Sequence, residues 1–237
     1  MVHAALRGGV QQITCGVAAG WVNVNTERRM YVEIDSNSGF CFGVVRAITK
    51  AESALKEYGG EVFSLGDIVH NRMEVLRLEH LGLRTVTYAD MPSLSGRRLF
   101  IRAHGEPPST FRRAAELGIH VIDATCPVVA QLQSKVVAAH KRMDEVNCQV
   151  VILGKRGHAE VVGLTGQIDE PTIVVENEDD LQAIDFTRPV FFLSQTTQSV
   201  DLFWRLAEKM RERLGDERML TVDDTICRRV SNRERNL

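Results

Sequence analysis

Three cysteines, Cys41, Cys126 and Cys227, each stand just ahead of a stretch that reads as a helix. Cys126 is followed by Pro127, a favoured first-turn residue. Cys41 precedes the helical run Val44–Tyr58, and Cys227 precedes Arg228, Arg229 and a polar stretch compatible with a helix. A helix N-terminus presents free N–H groups and partial positive charge, which favours thiolate over thiol. Thiolates are the ligands that iron needs. Three of them leave one iron of a four-iron cube without a protein ligand, and that iron can act as a Lewis acid while the cluster supplies electrons. The five cysteines include no CxxC pair and are odd in number. That argues against a local zinc motif and against a disulfide framework. Cys148, at a strand edge, reads as structural, and Cys15 lies in an N-terminal leader.

His70, His104 and His158 each fall just after a strand, where open α/β folds bind ligands. Three imidazoles there can hold a diphosphate and pass protons. If they are protonated, binding should weaken at high pH. His3, His80, His120 and His140 read as surface residues. Glu160 sits two residues after His158 in a Gly-rich segment, Gly157–Gly163, read as a loop, where a carboxylate beside an imidazole is a reasonable proton source. Ser194, Gln195, Thr196 and Thr197 offer hydroxyl and amide groups to a polar ligand, or alternatively cap a helix beginning near Ser199. No phosphate-binding GxxxxGK[ST], no GxGxxG opening a helix, no HExxH and no GxSxG elbow is present.

The elements that must position these residues alternate. Strand-like runs are Tyr31–Ile34, Glu61–Leu65, Arg98–Arg102, Val121–Asp123, Gln149–Leu153, Thr172–Val175 and Val190–Leu193. Helix-like runs are Val44–Tyr58, Arg72–Leu81, Phe111–Leu117, Val128–Met143, Leu181–Ile184 and Val200–Leu214. This alternation indicates an α/β fold with mainly parallel sheets. The plan also repeats. Leu65-Gly66 leads to His70 and Leu153-Gly154 leads to His158, 88 residues apart; Cys41 and Cys126 are 85 apart. Val121-Ile-Asp-Ala-Thr-Cys126 matches Thr221-Val-Asp-Asp-Thr-Ile-Cys227. The expected organisation is an N-terminal extension over residues 1–29, with Met30 the natural start. A first α/β unit over 30–126 follows, its strand 30–42 packing with a third unit, then a second unit over 127–222. Residues 223–237 open the third. The period leads us to expect a chain cut short near its end, with that third unit largely missing.

The 237 residues are 44% hydrophobic and 25% charged, a globular balance. The net charge of −2 provides no global field for nucleic acid or anionic membrane. No apolar run approaches the about 20 residues that span a bilayer, and no signal peptide is evident. A cytoplasmic protein with neither nucleic-acid nor membrane partners is expected.

Seven segments occur in an order that resembles the 4-hydroxy-3-methylbut-2-enyl diphosphate reductase family of the methylerythritol phosphate pathway. They are Ser38-Gly-Phe-Cys-Phe-Gly-Val44, Leu65-Gly-Asp-Ile-Val-His-Asn-Arg72, Ile101-Arg-Ala-His-Gly105, Asp123-Ala-Thr-Cys-Pro127, Gly157-His-Ala-Glu-Val161, Ser194-Gln-Thr-Thr197 and Asp224-Thr-Ile-Cys227. The resemblance implies α/β units in pseudo-threefold arrangement around a [4Fe–4S] cluster held by Cys41, Cys126 and Cys227. It implies His70, His104 and His158 at the substrate's diphosphate or hydroxyl region, Glu160 as proton donor, and Thr196 in substrate binding and proton delivery. The implied reaction is a two-electron reductive dehydroxylation giving isopentenyl and dimethylallyl diphosphate, with reduced ferredoxin or flavodoxin as electron donor. Ala159 stands where the family commonly has proline. The family's Ser/Asn-rich diphosphate-binding segment beyond the third cysteine has no counterpart among residues 228–237. The alternative is an inactive remnant that only binds a phosphorylated ligand or a partner chain.

Overall fold

The computed structural model describes residues 38–234, which fall almost wholly in one compact unit beginning at Phe40. The expected leader, Cys15 and the strand Tyr31–Ile34 lie outside the described residues.

Two four-stranded sheets, each parallel throughout, organise this unit. The first contains β1 (Val62–Leu65), β2 (Arg84–Val86), β3 (Arg98–Ile101) and β4 (His120–Asp123), in the order β2-β1-β3-β4. The second contains β5 (Gln149–Leu153), β6 (Ile173–Val175), β7 (Val190–Ser194) and β8 (Leu220–Val222), in the order β6-β5-β7-β8. The topologies are identical, so the repeat expected from residue spacing is a repeat of structure. Central strands are continuous apolar runs because helices cover both faces of a parallel sheet. All five residues of β5 and all five of β7 are buried.

Helices follow the strands. The first sheet is served by α1 (Phe42–Tyr58), α2 (Arg72–His80) and α3 (Pro108–Glu116); α4 (Pro127–Val146) leads to the second sheet, followed by α5 (Ala159–Thr165), α6 (Val200–Leu214) and α7 (Arg228–Glu234). In α1, Ala47, Ile48, Ala51, Ala54 and Leu55 recur at helical spacing and pack against Val62 and Phe100. In α6, Phe203, Leu206, Ala207 and Met210 form the same kind of stripe over Val151, Leu153 and Phe192. Ser199 caps α6 at its N-terminus, accepting from the Leu202 N–H, and Gly215 closes it in a left-handed conformation.

Three sequence expectations change. Residues 157–163 are not a loop throughout: α5 begins at Ala159, with His158 as its N-cap. The expected helix Leu181–Ile184 is a 3₁₀ turn over Asp179–Ala183. The short edge strand β2 was not expected at all. The halves are joined by polar contacts rather than a shared sheet. Gln133 of α4 and Gln167 after α5 both donate to the Glu106 carbonyl at 3.3 Å. Among the described residues no helix is long and apolar enough to cross a membrane.

Candidate active site

Each of the three cysteines stands immediately before a helix: Cys41 is the N-cap of α1, Cys126 precedes Pro127 of α4, and Cys227 precedes Arg228 of α7. Their carbonyls accept the first helical bonds, from Val45, Ala130 and Ser231 respectively. The backbone that holds them repeats too. The Cys126 N–H donates to the Ala103 carbonyl at 3.0 Å, and the Cys227 N–H donates to the Thr196 carbonyl at 2.8 Å. In both cases a cysteine from the strand-to-helix turn is tied to the turn beyond the neighbouring strand.

The three thiols line one cavity of about 90 Å³, together with Gly43, His104, Glu160 and Thr196. None of the three is in a disulfide. Gly43, in the first turn of α1, makes the approach possible. A Cβ there would lie 2.6 Å from the Cys126 sulfur and 4.0 Å from the Cys41 sulfur. Both sulfurs therefore converge on the face of α1 that Gly43 leaves bare.

Glu160, in the first turn of α5, is 2% exposed. Thr196 holds it at both oxygens, from the main-chain N–H to Oε1 at 2.7 Å and from Oγ1 to Oε2 at 2.8 Å. Burial raises the Glu160 carboxyl above its ordinary range; the two Thr196 bonds pull the other way. Ser199 caps α6, so Thr196 is not spent on capping.

His70, His104 and His158 come together. Their ring centroids are 5.0, 5.4 and 5.3 Å apart, and one nitrogen from each ring lies within 4.8 Å of the other two. Burial first, then the charge of Arg102, pushes His104 down to about 3. Burial also lowers His158, with His70 and Arg102 adding to it. Both shifts favour the uncharged rings and run against the protonated anchor considered from sequence. The His158 Nδ1 accepts from the Glu160 N–H at 3.2 Å, which assigns the ring proton to Nε2. Away from the cluster, His80 and His120 are exposed as expected, whereas His140 is half-buried and pairs with Glu170 at 3.0 Å.

Two further residues stand at the site: Gln195, read from sequence only as one of several polar groups open to a ligand or a helix cap, and Arg102, which carried no role in the sequence reading. Gln195, 2% exposed, links the halves of the second unit's site. Its Oε1 accepts from the Lys155 N–H at 3.1 Å, and its Nε2 lies 3.2 Å from His158 Nδ1 and donates to Thr197 Oγ1 at 3.0 Å. Arg102 directly follows β3, after the apolar run Leu99–Ile101 and two residues before His104. A charge at the end of a buried strand was the available signal.

Residues 32–237 match the family described as LytB protein. The 4-hydroxy-3-methylbut-2-enyl diphosphate reductase of Porphyromonas gingivalis is 48% identical over 202 residues, covering 85% of this chain and 70% of its own length. That of Parabacteroides distasonis is 48% identical over 208 residues, covering 87% and 71%. Among solved structures, the E-1-hydroxy-2-methyl-but-2-enyl-4-diphosphate reductase of Plasmodium falciparum superposes with a TM-score of 0.74 at 28% identity, covering 83% of this chain and 61% of that one. A second, a (E)-4-hydroxy-3-methyl-but-2-enyl diphosphate reductase titled as the terminal enzyme of the non-mevalonate pathway, gives 0.73 at 33% identity, covering 84% and 69%. With the match running through both sheets and all three cysteine turns, the chain belongs to the LytB protein family, whose relatives named here are oxidoreductases.

Proposed function

We propose that this chain carries the site of a cytoplasmic 4-hydroxy-3-methylbut-2-enyl diphosphate reductase, which yields isopentenyl and dimethylallyl diphosphate by two-electron reductive loss of the allylic hydroxyl. The observation that carries this reading is the single cavity shared by Cys41, Cys126, Cys227, Glu160 and Thr196. The donor set fits a [4Fe–4S] cluster: three thiols outside any disulfide, each at a helix N-terminus and all lining one cavity. When bound, the cluster supplies electrons and, at the iron that three thiolates leave without a protein ligand, Lewis acidity toward the substrate hydroxyl. Reduced ferredoxin or flavodoxin would deliver those electrons.

The chain's own residues supply binding and protons. His70, His104 and His158 hold the diphosphate, and they do so as neutral donors where burial keeps the rings uncharged. The Nε2–H of His158 is one such donor. Glu160, whose carboxyl burial raises, gives a proton to the departing hydroxyl, which leaves as water. Thr196 fixes the carboxyl's orientation, and in this reading it also partners the substrate and relays the proton.

Anaerobic reconstitution with iron and sulfide tests this. The chain should turn brown, with broad visible absorption that bleaches on reduction. Cys126→Ser should lose the colour while keeping its far-ultraviolet circular dichroism. Iron uptake unchanged in Cys126→Ser would refute the ligand assignment. Glu160→Gln should keep the colour and lose turnover to the two diphosphates, followed by mass spectrometry.

A further inference from the structure

Glu106 is a buried carboxylate that the proposed reaction does not use. It is 3% exposed and follows His104 by two residues, where Gly105 at φ +72° turns the chain from β3 toward α3. It does not line the cysteine cavity. Its Oε2 accepts from the Tyr88 hydroxyl and from Thr110 Oγ1 at 3.2 Å, and its Oε1 stands 3.9 Å from Arg102 Nη2. All of these partners belong to the first half. Burial pushes the Tyr88 phenol up to about 12, and the bond to Glu106 adds to it, so the hydroxyl stays a donor at physiological pH. A buried carboxylate is a poor source of net stability; what its hydrogen bonds supply is a fixed position.

That position matters because of the other end of the same residue. The Glu106 carbonyl accepts from Gln133 of α4 and from Gln167, both at 3.3 Å. Gln167 also donates to the Gly163 carbonyl of α5 at 2.7 Å, so one amide ties Glu106 to the helix that carries Glu160. The two halves meet closely here. A Cβ on Gly105 would lie 2.6 Å from Gln133 Nε2, and one on Gly166 would lie 2.6 Å from the Pro107 Cβ. His104 and Glu160 line one cavity from opposite halves. Glu106 stands at the joint between them.

We propose that Glu106 is a positioning residue: its side chain locks the turn after His104 onto Tyr88 and Thr110, its carbonyl docks that turn on Gln133 and Gln167, and together these set the spacing between His104 and Glu160. The inference rests on reading the shared cavity as the reductase site. Tyr88, 50% exposed, is then a surface residue that influences the placement of Glu160.

NMR of the full chain and turnover by the reconstituted chain test this together. Tyr88→Phe removes one hydroxyl and keeps the ring. It should shift the side-chain amide signals of Gln167 and the ¹³C carboxyl signal of Glu160, and lower kcat/KM about fivefold, the effect of one hydrogen bond. Gln167→Met should lower it similarly from the other half. Because both act through Glu106, the double variant should lose less than the product of the two single losses. Glu106→Ala should show the largest change, and Glu106→Gln, which keeps an acceptor oxygen for Tyr88, should recover part of it. A residue that merely holds α3 in place would move the Thr110 signals on Tyr88→Phe and leave those of Gln167 and Glu160 where they are. That result, or single losses that multiply independently, overturns the proposal. Should Glu106→Ala fail to fold, Tyr88→Phe and Gln167→Met decide the matter. If wild type shows no turnover, the reductase reading falls; shifted Gln167 and Glu160 signals then still uphold the joint, and unmoved signals reject it.

Discussion

Thr196 grips Glu160 at both carboxylate oxygens, with its N–H on Oε1 at 2.7 Å and its hydroxyl on Oε2 at 2.8 Å. Both bonds favour the ionised form, yet burial outweighs them and the carboxyl is raised. Thr196→Val removes the hydroxyl and leaves the N–H. The Glu160 midpoint should then rise further, as followed by NMR of a ¹³C-labelled carboxyl. A midpoint that falls or stays fixed would show that the hydroxyl does not stabilise the carboxylate. The stability sign follows from the same shift. With the folded value above the unfolded one, Glu160 favours the fold below its unfolded pKa, and that contribution is lost as pH rises through the folded value.

His104 runs the opposite way. Its folded value, about 3, lies below the unfolded value of about 6.5. The group costs nothing at high pH. As pH falls below about 6.5 the unfolded chain takes up a proton that the folded chain refuses, so stability drops. Urea midpoints should therefore decline from neutral pH to about pH 5, and His104→Asn should decline less. The His104 ring signals should not titrate over that interval in the folded wild type. Parallel decline of the two proteins, or a titrating His104 ring, would contradict burial as the cause.

Gly43 separates a packing requirement from a ligand requirement. Its bare face admits the Cys126 sulfur to 2.6 Å from where a Cβ would stand, closer than van der Waals contact allows. Alanine is the better helix former by roughly 1 kcal/mol, so Gly43→Ala should leave the α1 backbone intact. It should still displace Cys126. Reconstituted Gly43→Ala should hold clearly less iron per chain than wild type, while its melting temperature changes little. Full iron loading in this variant would show that the sulfur has room to move.

The cysteine turns were legible because their period, their helix-start residues and the matching run-ins before Cys126 and Cys227 all agreed. The two sheets were legible for a related reason: β5 and β7 are apolar at four of their five positions and buried at all five, as central parallel strands are. What was missed is short or locally disguised. β2 is three residues, Arg84, Thr85 and Val86, with two of them exposed, so no burial pattern marks it. α5 is flanked by Gly157 and Gly166 and interrupted by Gly163, a composition that reads as loop; the helix exists because the His158 ring caps it and Val161 and Leu164 anchor it. Gly163 also lets α5 approach the first half closely, since a Cβ there would make a tight 3.3 Å contact with the Gly105 carbonyl oxygen. The neutrality of His104 could not be read from spacing, because its first cause is burial, which only the fold creates; the Arg102 charge two residues away adds to it.

Phe203 and Trp204 are adjacent in sequence and in contact, with ring centroids 5.5 Å apart, yet the fold uses them differently. Phe203 is fully buried and stacks on Phe192 at 4.6 Å with the rings 10° from parallel, filling the space between α6 and the β5–β7 pair. Trp204 is 43% exposed. Phe203→Ala should leave a cavity against β7 and cost about 3–5 kcal/mol. Trp204→Ala removes the larger side chain but opens to solvent, so it should cost distinctly less, on the order of 1 kcal/mol. Urea denaturation of both variants checks the ordering. If Trp204→Ala proves the more damaging, residue size rather than burial governs this helix face, and the packing of α6 on the second sheet has been read wrongly.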